Sequence, residues 1–149
     1  MTPRPASQAG RTRARRSAVQ ALYQWQLGHQ PLGEIEAQFF DLQDTSRMDA
    51  DYFSELIHRV PACVGELDGH LAQVVERPLA QIDPVAHAVL WVGAYELVHR
   101  PELPWRVVLN AAVELAKTFG ASESHRFVNA ALDRLAARVR AAEIAALGG

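Results

Sequence analysis

Apolar residues recur at helical spacing along most of this chain. After residue 11 they fall at Ala18, Leu22 and Trp25, which share one face of a helix. Asp83-Pro84 is a strong helix start, because aspartate accepts hydrogen bonds from free amides and proline is favoured at the first helical position. No segment alternates apolar and polar residues as a strand does. The pattern predicts an all-α bundle of about six or seven helices.

Prolines and glycines divide this pattern into segments. Residues 1–10 lack periodicity and are expected to form a flexible N-terminal arm, followed by one domain over residues 11–149 with a subdomain break near 78–83. Pro61 should interrupt a helix, Gly120 should end one, and Ser122 or Ser124 should cap the last. The helices are expected around apolar positions in residues 11–28, 34–42, 53–60, 64–75, 85–95, 108–119 and 128–139.

Positive charge is concentrated at the N-terminus. The whole chain has a formal net charge of −2, yet no acidic residue precedes Glu34. Clustered guanidinium groups displace counterions from a phosphate backbone and stack on bases, so this end favours nucleic-acid binding. The first 16 residues contain Arg4, Arg11, Arg13, Arg15 and Arg16.

The residue pattern contains no motif that is typical of an enzyme. No two of the six histidines stand three or four residues apart, and the one cysteine, Cys63, cannot supply a zinc knuckle. No glycine-rich phosphate loop is present, and no apolar run approaches the roughly 18 residues of a membrane span. A lone cysteine suits a reducing compartment. We therefore expect a cytoplasmic protein that is not an enzyme, with no catalytic residues, no metal and no cofactor.

Two aromatic residues stand beside arginines. Tyr23 lies close to the stripe formed by Arg16 and Gln20 on the first helix, and Phe127 follows Arg126 at the start of the last helix. Exposed aromatic rings next to arginines form stacking platforms for unpaired bases, although most aromatic residues belong to the core. Both interpretations stay open on the residues alone.

Four stretches, in order, resemble the NusB family of bacterial antitermination factors. The first is Arg15-Arg16-Ser17-Ala18-Val19-Gln20-Ala21-Leu22-Tyr23-Gln24-Trp25-Gln26, and the second joins Ala88-Val89-Leu90 to Ala94-Tyr95-Glu96-Leu97. The last two are the most specific. They are Asn110-Ala111-Ala112-Val113-Glu114-Leu115-Ala116-Lys117-Thr118-Phe119-Gly120 and Ser124-His125-Arg126-Phe127-Val128-Asn129-Ala130-Ala131-Leu132-Asp133.

The resemblance implies a fold and a function that the residue pattern alone does not give. Family members are all-helical, with two small helical bundles packed together. They bind the single-stranded boxA element of ribosomal RNA leader transcripts together with NusE, a small-subunit ribosomal protein. That complex joins RNA polymerase with NusA and NusG, so that transcription passes terminators. Some members form homodimers that mask the RNA surface.

The resemblance also implies a set of RNA-binding residues. Two positions depart from the family pattern, since Thr12 replaces a basic residue of better-known members and Ala86 replaces a glutamate of some members. The implied RNA-binding residues are Arg11, Arg13, Arg15, Arg16, Tyr23, Glu123, His125, Arg126 and Phe127.

A second interpretation uses the same basic arm differently. The chain could be a helical protein-interaction module whose arm binds an acidic partner or an anionic membrane. Salt dependence would not separate the two interpretations. Discrimination between boxA-like RNA and a scrambled strand would separate them, because charge carries no sequence information.

Overall fold

The computed structural model describes residues 7–42 and 44–147, which form helices and no strands. This confirms the all-α prediction, with seven helices of two turns or more, one short final helix and a 3-10 helix at Leu79–Gln81. The α-helices are α1 (Gln8–Gly28), α2 (Leu32–Leu42), α3 (Ala50–Ala62), α4 (Val64–Ala72), α5 (Pro84–His99), α6 (Trp105–Phe119), α7 (Ser124–Val139) and α8 (Ala141–Ala146).

Helix α1 begins earlier than the sequence predicted. Ser7 caps it by accepting a hydrogen bond from the Gly10 amide at 2.9 Å. Gln8 to Gly10 are therefore helical, and the prediction of a flexible arm is wrong for these residues. Residues 1–6 of the predicted arm lie outside the described residues. The early start places Arg11 inside the helix.

The chain divides into two compact units, Met1–Ala62 and Cys63–Gly149. The break expected near 78–83 is thus misplaced, because α4 precedes that stretch and packs against α5 and α7. Pro61 lies inside α3, which ends one residue later at Ala62, so the predicted interruption falls between α3 and α4. In the first unit α1 packs against α2 and α3 around a fully buried Phe53.

Helix α5 is the centre of the second unit, where it packs against α4, α6 and α7. Asp83 caps it by accepting from the Ala86 amide at 3.3 Å, which confirms the predicted start. Gly93 allows a close approach of α7, since a Cβ built there would lie 2.5 Å from Leu132 Cδ1. The His87 side chain has a hydrogen-bond partner within the unit, as its Nε2 lies 2.8 Å from Asp68 Oδ1.

Arg140 closes the C-terminal end of α5. Its side chain is almost fully buried and donates to the carbonyl oxygens of Leu97 at 2.7 Å and Leu103 at 2.9 Å. It also donates to the carbonyls of Glu96 at 3.2 Å and Arg100 at 2.9 Å. The remaining N–H group of Arg140 donates to the Glu143 carboxylate in α8. Arg140 and Glu143 thus join the end of α5 to α8, and we call this contact the C-terminal clasp.

Candidate nucleic-acid interface

The arginines of α1 occupy different environments. Arg13 and Arg16 are exposed and Arg11 is half-buried, whereas Arg15 is only 6% exposed. The Arg15 guanidinium carbon lies 5.6 Å from the ring centroid of Tyr52 in α3. Arg15 therefore packs inside the first unit, in contrast to the expectation that it would reach RNA beside the others.

Helical periodicity explains the difference between Arg15 and its neighbours. Residues three, four and seven positions apart share a face of a helix. Counted from Arg15, those positions are Ala18, Val19 and Leu22, and all three are buried. The arginine lies on the core stripe, so the pattern that predicted a buried face of α1 already carried this signal.

Arg13 and Arg16 line a pocket of about 200 Å³ within the first unit. Two hydroxyl-bearing residues also line it, Ser17 on α1 and Thr45 on the segment between α2 and α3. Clustered guanidinium and hydroxyl groups are the donors that bind phosphate oxygens. The remaining lining residues are Gln20, Asp44 and Met48.

The segment over residues 44–49 is held against the start of α1. The Asp49 amide donates to the Gly10 carbonyl at 3.1 Å, and a Cβ built on Gly10 would lie 3.4 Å from that amide nitrogen. Asp44 accepts from the Ser46 hydroxyl at 2.7 Å and from the Ser46 amide at 3.0 Å. These two hydrogen bonds lower the pKa of Asp44 below its ordinary value. No spacing in the sequence indicates that this segment lies beside the arginines of α1.

Tyr23 continues the exposed stripe of α1. Arg16, Gln20 and Tyr23 are all exposed, and the tyrosine shows 38% of its surface. This exposure favours the surface interpretation of Tyr23 over the core interpretation. Trp25, expected in the core, is half-buried.

A second cluster lies in the second unit, at the start of α7. Phe127 is half-buried, and the guanidinium carbon of Arg77 lies 4.3 Å from its ring centroid. This is the distance of direct stacking between a cation and a ring. Arg77 was not among the predicted residues, because it stands 50 positions before Phe127 and no local pattern links the two.

Glu123 begins α7 with unusual backbone geometry. Its φ of 73° is left-handed, which costs a residue with a side chain of this kind about 1–2 kcal/mol. Neither Ser122 nor Ser124 occupies the capping position, so that prediction is wrong. The Glu123 carboxylate pairs with Arg126 Nε at 2.9 Å, while His125 next to it is half-buried.

Phe127 and Arg77 line a pocket of about 240 Å³ within the second unit. Its walls come from the starts of α5 and α7 and from the turn that precedes each. The other lining residues are Ile82, Asp83, Ala86, Ala121, Ser122, Glu123 and Ser124.

The predicted residues thus form two groups, one in each unit. Arg11, Arg13, Arg16 and Tyr23 belong to the first unit. The second unit carries the consecutive group from Glu123 to Phe127. Over residues 7–42 and 44–147 no group of three or more histidine, cysteine, aspartate or glutamate side chains could hold a metal ion. None of the described helices is long and apolar enough to cross a membrane.

A family model described as the NusB family matches residues 12–137, which include every predicted RNA-binding residue except Arg11. The chain belongs to the NusB family. It is 50% identical over 133 residues to a relative from Nitrosococcus oceani, an alignment that covers 89% of each chain. It is 47% identical over 143 residues to a relative from Pseudomonas entomophila, covering 96% of this chain and 86% of the other. Both relatives are named transcription antitermination protein NusB.

A solved structure shows the same fold. NusB from T. maritima superposes with a TM-score of 0.72 at 24% identity, covering 91% of this chain and 92% of the other. The NusB family is a family of antitermination factors and not of enzymes, which confirms the non-enzyme prediction.

Proposed function

We propose that this protein is a cytoplasmic transcription antitermination factor that binds boxA-like single-stranded RNA together with NusE. The resulting complex would join RNA polymerase with NusA and NusG at ribosomal RNA operons. The observation that carries the proposal is the 50% identity to an antitermination protein over 89% of the chain.

The described surface supports an RNA-binding role. Arg13 and Arg16 are exposed and line one pocket with Ser17 and Thr45, residue types whose side chains bind phosphate oxygens. Tyr23 and Phe127 offer rings that stack on unpaired bases. Glu123, His125 and Arg126 precede Phe127 in sequence and complete the proposed contact group, and Arg11 adds positive charge to α1. Arg15 supports the site indirectly, since it holds α1 against α3.

Binding to boxA-like RNA and to a scrambled strand, with and without NusE, tests the proposal. We expect preferential boxA binding that strengthens when NusE is added. Equal, weak binding to both strands would refute the proposal and leave the interaction module as the better explanation. Size-exclusion chromatography of the same protein would show whether it forms the homodimer known in some family members.

The contribution of the arginines can be measured separately. The double variant Arg13→Ala, Arg16→Ala should weaken binding to both strands and reduce the salt slope of log K by about 1.4, since each phosphate contact on a single strand contributes about 0.7. Arg59→Ala, on the exposed face of α3 in the same unit, is the matched control and should leave the slope unchanged. An unchanged slope in the double variant would remove these arginines from the site.

A further inference from the structure

The pocket under Arg77 and Phe127 has walls that do not suit a phosphate group. Asp83 and Glu123 both contribute carboxylates, and only the latter is paired, with Arg126 at 2.9 Å. The charged residues that line this pocket are Arg77, Asp83 and Glu123 and sum to −1, whereas Arg13, Arg16 and Asp44 of the first unit's pocket sum to +1, so a phosphate is disfavoured here. The pocket is therefore better suited to an uncharged group that carries hydrogen-bond donors.

Its polar lining includes acceptors beside the Arg77 donors. Asp83 uses Oδ2 to accept from the Ala86 amide at 3.3 Å, and its Oδ1 accepts no hydrogen bond within the described residues. The Ser124 hydroxyl donates to the Ala116 carbonyl at 3.5 Å, which leaves its oxygen to accept. A carboxylate accepts hydrogen bonds only, so its partner in the pocket must donate.

The stacked pair adds a flat surface to these acceptors. An arginine guanidinium and an aromatic ring are the two protein groups on which bases stack in single-stranded RNA. Here they lie 4.3 Å apart and line the same pocket. The volume of about 240 Å³ falls below the roughly 300–1,000 Å³ of pockets for drug-sized molecules, which fits one base better than a larger ligand.

We propose that this pocket binds a single RNA base that carries an exocyclic amino group, with Asp83 as the reader and Arg77 and Phe127 as the stacking wall. The inference rests on the proposed RNA-binding function and assigns a base preference to one part of that site. Adenine, cytosine and guanine each present an amino group. Uracil presents one N–H between two carbonyl groups, so it would place an acceptor against the carboxylate.

A base scan tests the pocket directly. A boxA-like RNA is changed one position at a time, to uracil or, where uracil is present, to cytosine, and affinity is measured in the presence of NusE. One position should prefer an amino-bearing base to uracil by about tenfold, within the range expected for one well-placed side chain–base contact.

Asp83→Asn is the informative variant. Asparagine caps a helix as well as aspartate does, so α5 should keep its start. Its amide also donates, and it can bond to the uracil carbonyl. We expect the preference at that single position to fall to about twofold or less, with the preferences at all other positions unchanged.

Arg77→Lys tests the stacking wall, because lysine keeps the charge but lacks the planar group. Binding should weaken about fivefold or more for RNA with a base at that position, and not at all for RNA with an abasic nucleotide there. Arg100→Lys is the control, since Arg100 follows the other end of α5, about 24 Å from Asp83 along a 16-residue helix.

The outcomes separate this inference from the proposed function. If wild-type protein prefers boxA but Asp83→Asn changes no single-position preference, the base pocket is refuted and antitermination binding stands. If wild-type protein shows no preference for boxA at all, the proposed function itself fails. Unchanged binding by Arg77→Lys at every position would remove Arg77 from the site.

Discussion

Arg140 offers the sharpest test of how the second unit is held together. Its guanidinium is almost fully buried, and four backbone carbonyls at the end of α5 and in the loop after it accept its hydrogen bonds. Arg140→Met removes every donor and keeps an unbranched side chain. The Leu97 and Leu103 carbonyls would then lose the donor that the structure shows for them, whereas the carbonyls of Glu96 and Arg100 would keep backbone amide donors.

The size of the effect follows from those contacts. Hydrogen bonds to charged groups contribute about 1.5–3 kcal/mol each, so a simple sum over the four would give about 6–12 kcal/mol. Such terms are not additive, and water can enter to satisfy part of what is lost. Removing one partner of a buried charged network costs about 3–5 kcal/mol, which is the loss we expect in the free energy of unfolding. At about 2–4 °C per kcal/mol for a chain of this size, Tm should fall by about 10 °C.

Thermal and urea unfolding followed by circular dichroism measure this loss. Arg138→Met is the matched control, since Arg138 lies two residues earlier, on α7, and is exposed, with its side chain donating to that of Gln73. The control should cost less than about 0.5 kcal/mol, as surface changes do. The loss of stability in Arg140→Lys should lie between those of Arg140→Met and Arg138→Met, because the three N–H donors of lysine cannot bond to all four carbonyls. Equal, small losses in the Arg140→Met and Arg138→Met variants would refute the clasp.

Three further predictions concern packing and pH. Gly93→Ala should destabilise the protein by about 1–3 kcal/mol through overpacking against Leu132, and a smaller residue at 132 should recover part of the loss in urea unfolding. Arg15→Ala should cost about 2 kcal/mol of stability, because the guanidinium over Tyr52 is buried, and circular dichroism should show this without any RNA present. The pKa of Glu143 is held below its ordinary 4.5 by the first backbone N–H of α6 and by the clasp arginine. Its stabilising effect is therefore present above pH 4.5 and lost as pH falls through the lowered pKa, so Glu143→Gln should flatten acid unfolding in that range.

Helices and their order could be predicted because the signals are local. The pair Asp83-Pro84 predicts the start of α5, and in the structure the Asp83 side chain accepts a hydrogen bond from the amide three residues later. The end of α6 at Gly120 is likewise confirmed as a C-cap. Such signals depend on neighbours within one helical turn, which sequence spacing records directly.

The composition of the two pockets could not be predicted in the same way. Arg77 meets Phe127 across 50 residues, and Thr45 joins Arg13 and Arg16 from a loop about 30 residues further along the chain. These contacts depend on how the helices pack, and no repeat or spacing in a single sequence reveals that packing. The burial of Arg15 is different, since its position on the apolar stripe of α1 was readable from helical periodicity.

The boundary between the two units was not predicted correctly from the positions of the prolines. Prolines at 78 and 84 suggested a break there, yet the contacts place it at Ala62 and Cys63. Prolines mark where a helix stops. They do not say which neighbour the next helix packs against, and α4 packs with the helices that follow it.

The docking of residues 44–49 onto the start of α1 means that the arginine-rich segment is not a linear motif. A synthetic peptide spanning Gln8–Gly28 would carry Arg11, Arg13 and Arg16 but would lack Thr45 and the Asp49 bond to Gly10. Isolated helices of this length are also marginally stable in water. Such a peptide would keep the charge of the segment and lose its shape. It would therefore bind RNA nonspecifically and would not inhibit the intact protein.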